Sequence, residues 1–136
     1  KSDRIQYCLS ESELQSCDDF KKNDETKPFV DLHSDGVLCL LRENDSIYVA
    51  LEYEASVKTK SRYWDKLSDY YKHSSIPAIF YIAKSQDILR VVQSVDREIV
   101  KDNGKKFKFY YTELENVLEG SSELTFENLS GRIFKF

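Results

Sequence analysis

The apolar positions of this chain fall into short, well-separated patterns. Val37-Leu38-Cys39-Leu40-Leu41 is an unbroken apolar run, the pattern of a strand buried on both faces. Residues 29–42 as a whole read as extended, interrupted at Gly36. Glu43-Asn44-Asp45-Ser46 is a polar turn, and residues 47–54 resume with β-branched and aromatic side chains. The two strands and their turn predict a hairpin. Tyr63, Trp64, Leu67, Tyr70 and Tyr71 recur at helical spacing, which predicts a helix over 59–73 with these residues as its apolar stripe. Ser74-Ser75-Ile76-Pro77 stops it, and Ala78-Ile79-Phe80-Tyr81-Ile82-Ala83 is the clearest buried strand. Ile88, Val91, Val92, Val95 and Ile99 mark a second helix over 86–100, ended at Asp102-Asn103-Gly104 by residues that tolerate a left-handed turn.

Weaker signals fill the rest. Ser10 with Glu13 three residues on reads as a capping box, opening a first helix over 10–20. Residues 21–27 are polar and Pro28 closes them as a loop. Residues 106–111 alternate as a strand. Thr112 caps a short helix to Leu118, with Glu115 completing the box, and residues 124–136 carry a Gly131 turn and a final hairpin or strand. The order α-β-β-α-β-α-β predicts an α/β (mixed α+β) fold: a four- to five-stranded mixed sheet flanked by helices on both faces.

With 136 residues, 40% hydrophobic and 32% charged, the chain is sized for one folded domain over 1–136 rather than disorder. No apolar run approaches the roughly 20 residues of a membrane helix, and residues 1–10 lack a signal-peptide pattern. The chain opens on Lys1 and has no Met, so it is expected to be the C-terminal part of a longer protein. Cys8, Cys17 and Cys39 are odd in number and match no metal knuckle. Free thiols in a reducing, cytoplasmic compartment follow. With four glycines and neither G-x-x-x-x-G-K-[ST] nor G-x-G-x-x-G, a phosphate-cradling loop is excluded, and no G-x-S-x-G marks a serine hydrolase.

Charge changes the picture through its distribution. The net charge is −4, but residues 1–35 hold five Lys/Arg against nine Asp/Glu, whereas 57–73 hold Lys58, Lys60, Arg62, Lys66 and Lys72 against Asp65 and Asp69. Carboxylates to hold a cation followed by cations to hold a phosphate backbone suit a metal-dependent site acting on phosphates. A solvated helix face gives the same pattern.

On residues 47–54, alternation places Tyr48, Ala50, Glu52 and Glu54 on one face. Two acids thus point the same way at the end of an apolar strand, where charge is costly unless paired or bound to metal. Asp35 begins the neighbouring strand, and the hairpin brings it towards Glu52. Such carboxylates suit Mg2+ or Mn2+. The competing reading is a solvated strand end, with the acids pairing to Lys58 or Lys60.

The run His33-Ser34-Asp35-Gly36-Val37-Leu38, a turn, then Val49-Ala50-Leu51-Glu52-Tyr53-Glu54 resembles the core of the PD-(D/E)XK nuclease superfamily. It is most similar to the replication-relaxation proteins of plasmids and mobile elements, whose apolar strand ends in A-L-E-x-D/E and is followed by a helix with K-L-x-x-Y. Here that helix offers Arg62 and Lys66-Leu67-Ser68-Asp69-Tyr70. The resemblance covers roughly 28–83. It implies a restriction-endonuclease-like core, Asp35 and Glu52 as metal-binding acids, and Glu54 as a possible third ligand. DNA is the implied substrate, contacted by Lys58, Lys60, Arg62, Lys66 and Lys72. A DNA-binding domain upstream, such as a winged helix, and pairing into a homodimer are further expectations; a membrane partner is not. Two positions depart from the pattern. Ser34 stands where it has Pro. Glu54 stands where it has the lysine that steadies the developing phosphorane charge, so Lys58, Lys60 or Lys66 is expected to supply that charge. Glu11 or Glu13 is a candidate extra acid.

Two other readings remain. One keeps the fold without catalysis, as a DNA-binding or assembly module. The other is a protein-interaction domain, consistent with the acidic first 35 residues.

Overall fold

The computed structural model describes residues 4–120 and 124–136. In chain order the elements are β1 (Arg4–Ser10), α1 (Glu11–Ser16), α2 (Asp18–Lys22), α3 (Lys27–Asp31), β2 (Gly36–Leu41), β3 (Ser46–Glu54), α4 (Lys60–Lys72), β4 (Ile79–Ala83), α5 (Gln86–Asn103), β5 (Phe109–Glu113), α6 (Leu114–Leu118), β6 (Thr125–Glu127) and β7 (Ile133–Lys135). The strands form one mixed sheet whose spatial order is the chain order, β1 to β7. β1, β2 and β3 pair antiparallel, β3-β4 and β4-β5 parallel, and β5-β6 and β6-β7 antiparallel.

The mixed α/β class is as expected, but the sheet has seven strands rather than four to five. β1 is the addition at one edge. A register shift at Gln6 pairs Ile5 with Leu40 and Tyr7 with Cys39, so the bulge breaks the alternation that would have announced the strand. At the other edge the tail forms the β6-β7 hairpin, whose Gly131 takes φ 91.

The helices also differ from expectation. The Ser10–Glu13 capping box is present, but the first helix breaks at Cys17 into α1 and α2. Residues 27–31 are helical rather than loop and strand, because Pro28 lies in the first turn, where its missing N–H costs nothing. Thr112 is the penultimate residue of β5 and Glu113 takes the N-cap of α6 without a side-chain bond. α4 and α5 match the apolar stripes and are capped by Thr59 and Ser85 side chains.

Among the described residues, helices α1, α3, α4 and α5 bury their apolar side chains on one face of the sheet. Leu14, Phe29 and Val30 from α1 and α3, Tyr63, Leu67, Tyr70 and Tyr71 from α4, and Ile88, Leu89, Val92, Val95 and Ile99 from α5 belong to one core cluster with Val37, Ala50, Ile79 and Phe109 of the sheet. The opposite face holds Leu38, Leu40, Val49, Phe80, Tyr110 and Phe126, with Phe134 and Phe136 packed against them. The C-terminal strands, not helices, supply its aromatic cover: the Phe80 and Phe126 rings stack at 4.6 Å. Within the helical core Asp96 is fully buried and accepts hydrogen bonds from Tyr71 and, at 2.7 Å, Tyr111. No helix among the described residues is long and apolar enough to cross a membrane.

Candidate functional site

The hairpin sets the first two acids. β2 and β3 pair Gly36 with Leu51, so Asp35 and Glu52 lie one step beyond that pair. Gly36 is needed there: a Cβ would meet the Leu9 carbonyl oxygen at 3.0 Å. The approach to Asp35 is a helix stop. The N–H groups of His33 and Ser34 donate to the carbonyls of Val30 and Phe29, both at 3.1 Å, the paired bonds of a Schellman motif. His33 takes the left-handed position at φ 51. Asp35 is exposed; its Oδ2 accepts the Tyr53 N–H at 2.8 Å, and its carbonyl accepts the Glu11 N–H at 3.0 Å.

Glu52 is 3% exposed, on the face covered by α4. Lys66 reaches it from α4, Nζ to Oε1 at 2.9 Å. The Tyr70 hydroxyl donates to Oε2 and also meets the Ser34 hydroxyl at 2.6 Å. Burial raises the Glu52 carboxyl to about 7; Lys66 and Tyr70 pull against that rise and the charge of Asp35 adds to it. The same burial and the Glu52 charge push the Tyr70 phenol far above its ordinary value, so Tyr70 remains a donor.

Glu54 shares that face, two residues on. It pairs with Lys58 at 3.5 Å, and Lys58 Nζ also donates to the Ser56 hydroxyl at 2.7 Å. Lys58, Arg62 and Lys66 come together with Glu54, Tyr63, Leu67 and Tyr81 around a cavity of about 50 Å3, room for a water molecule. The other basic positions lie elsewhere. Lys60 pairs with Glu98 of α5 at 2.9 Å. Lys72 lines a separate groove of about 350 Å3 with Trp64, Ile99 and Lys105. Glu13 is spent on its cap, and Glu11 lies 3.8 Å from the His33 ring nitrogen.

Tyr70 closes the K-L-x-x-Y match and Ser34 stands in the place of the pattern's Pro, but neither is expected from the sequence to act on Glu52. Tyr70 falls in an apolar stripe, yet it lies four residues from Lys66 and so shares its helix face, and a buried phenol needs a partner. Ser34 stands out only as the departure from Pro; its partner Tyr70 is distant in the chain, so no local signal links the two.

Among the described residues no group of three or more His, Cys, Asp or Glu side chains is placed to hold a metal ion. The oxygen donors at hand for a hard cation are the carboxylates of Asp35 and Glu52. Comparison of the chain with protein-family models, with curated proteins and with solved structures gives no match.

Proposed function

We propose that the domain is a metal-dependent nuclease of PD-(D/E)XK type that hydrolyses DNA phosphodiesters, with Asp35 and Glu52 as metal-binding acids and Lys66 as the lysine of the site. The observation that carries this reading is the Lys66 ammonium, 2.9 Å from Glu52. It answers the departure at Glu54: the charge missing from the strand arrives from the following helix. The antiparallel β2-β3 hairpin, the α4 crossover and the parallel β4 follow the order that the resemblance implies.

Two carboxylates suit Mg2+ or Mn2+, which commonly bind through one or two protein acids with water and substrate phosphate completing the shell. When bound, such an ion supplies Lewis-acid polarisation of the phosphoryl oxygen and of an attacking water. The chain's own residues do the rest. Glu52 must be ionised to act as a ligand, and a cation beside it favours that form. Lys66, 41% exposed, is free to turn from Glu52 to the charge developing on phosphorus. Arg62 and Lys58 stand beside it to hold the backbone.

A second reading, the same fold binding DNA without cutting it, is favoured by the Glu54–Lys58 pair, which neutralises a cation at the mouth of the site. One experiment separates them: calorimetric titration of Mn2+ and Mg2+ with a plasmid-nicking assay, on wild type and on Asp35→Ala/Glu52→Ala. The nuclease reading expects binding and nicking in the wild type, both lost in the double variant. A wild type that binds DNA but neither takes up metal nor nicks replaces it with the binding module.

A further inference from the structure

We propose that Ser34 and Tyr70 are positioning residues, a hydroxyl relay that fixes the direction of the Glu52 carboxylate; this rests on the nuclease reading above. An ionised carboxylate only accepts hydrogen bonds, and a phenol has one proton. The Tyr70 proton therefore goes to Glu52 Oε2. The Ser34 hydroxyl, 2.6 Å from the Tyr70 oxygen, then donates to it. Each link polarises the next in a dry environment: Ser34 is 0% and Tyr70 0% exposed.

Both hydroxyls are anchored from behind. The Ser34 N–H is held by the Phe29 carbonyl in the Schellman turn. The Tyr70 ring packs edge-on against Phe109 with centroids 5.7 Å apart, and its carbonyl accepts Lys108 Nζ at 3.0 Å. With Oε2 so held, Oε1 is the oxygen left for Lys66, or for a metal ion in its place. The departure at Ser34 thereby acquires a role. Proline has neither the hydroxyl nor the N–H, and both make bonds here. The relay acts through Glu52 and touches no substrate.

The test uses Mn2+ alone as the calorimetric probe, plasmid nicking as the second readout, and the variants Tyr70→Phe, Ser34→Ala and Glu52→Gln. Tyr70→Phe keeps the packed ring, and circular dichroism checks that each variant folds. Loss of the phenol is expected to weaken Mn2+ binding about tenfold, the lower end for a group that orients a metal ligand, with kcat reduced and the KM for DNA unchanged. Ser34→Ala is expected to weaken binding less than Tyr70→Phe. Wild-type Mn2+ affinity in both variants, alongside its loss in Glu52→Gln, overturns the relay and leaves the metal site standing. Unaltered Mn2+ binding in Glu52→Gln overturns the metal site itself. The relay is then decided by the crystal structure of Tyr70→Phe, where a carboxylate turned from its place supports it and an unmoved one overturns it.

Discussion

The ammonium of Lys66 lies 2.9 Å from Glu52 Oε1, bridging helix α4 to the end of strand β3. One partner is buried and the other reaches in from solvent. Lys66→Met is therefore expected to separate activity from stability. Plasmid nicking should fall at least about a hundredfold, the usual cost of one group that stabilises developing charge. Urea unfolding at pH 6 should change by less than about 1 kcal/mol, because Glu52 can take up a proton in place of its cation. Unchanged nicking would remove Lys66 from the mechanism.

Stability should carry the signature of Glu52 in its pH dependence. Burial raises this carboxyl from 4.5 to about 7. The folded protein thus holds a proton that the unfolded chain releases. The resulting stabilisation is complete below about pH 4.5 and is lost as pH rises through about 7. Glu52→Gln removes the titration. Its stability relative to wild type should therefore improve between pH 5 and pH 8 by roughly 2 kcal/mol, since each tenfold gain in proton affinity is worth about 1.4 kcal/mol. Asp96, raised to about 6 chiefly by burial, has the same sign but is common to both proteins and cancels. A pH-independent difference in urea-unfolding free energy would show that Glu52 titrates normally.

The basic residues should divide into two sets. Arg62 shares the cavity with Lys58 and Lys66, whereas Lys60 is paired with Glu98. Arg62→Ala is expected to lower the slope of log affinity for duplex DNA against log salt by about one, the loss of one phosphate contact. Lys60→Ala should leave that slope unchanged. Equal effects of the two, measured by fluorescence anisotropy over a salt series, would place the DNA on another face.

This division shows what the sequence made legible. Strand alternation put Glu52 and Glu54 on one face, but left open whether they end in solvent or in a dry site; the structure buries Glu52. Charge counting put five cations on one segment, but a helix turns about 100° per residue. Arg62 and Lys66, four apart, share a face; Lys60 and Lys72 do not. The strand total was out of reach for a different reason. The bulge at Gln6 hid β1, and Thr125-Phe126-Glu127 and Ile133-Phe134-Lys135 are too short to carry a period by themselves.

His33 offers a test of the turn that delivers Asp35. A non-glycine residue at φ 51 is strained by its Cβ, at a cost of about 1 kcal/mol. The His33 side chain is exposed, and its 3.8 Å approach to Glu11 contributes little. His33→Gly is therefore expected to stabilise the protein by up to about 1 kcal/mol in urea unfolding, with nicking unchanged. Destabilisation would mean that the imidazole holds the turn in a way its exposure conceals.

Because the seven strands stand in space in the order they occur along the chain, no strand has to be threaded between two others already paired. The sheet can extend from one edge as synthesis proceeds, each new strand meeting its neighbour without a long search. Every residue of the relay and of the Glu52–Lys66 pair precedes β4, whereas Lys108 and Phe109, which hold Tyr70 from behind, follow it. Phe126, Phe134 and Phe136 follow all of these in the sequence. Until they pair, the sheet face opposite the helices lacks its aromatic cover, and exposed apolar surface of this kind favours association of a chain still being made.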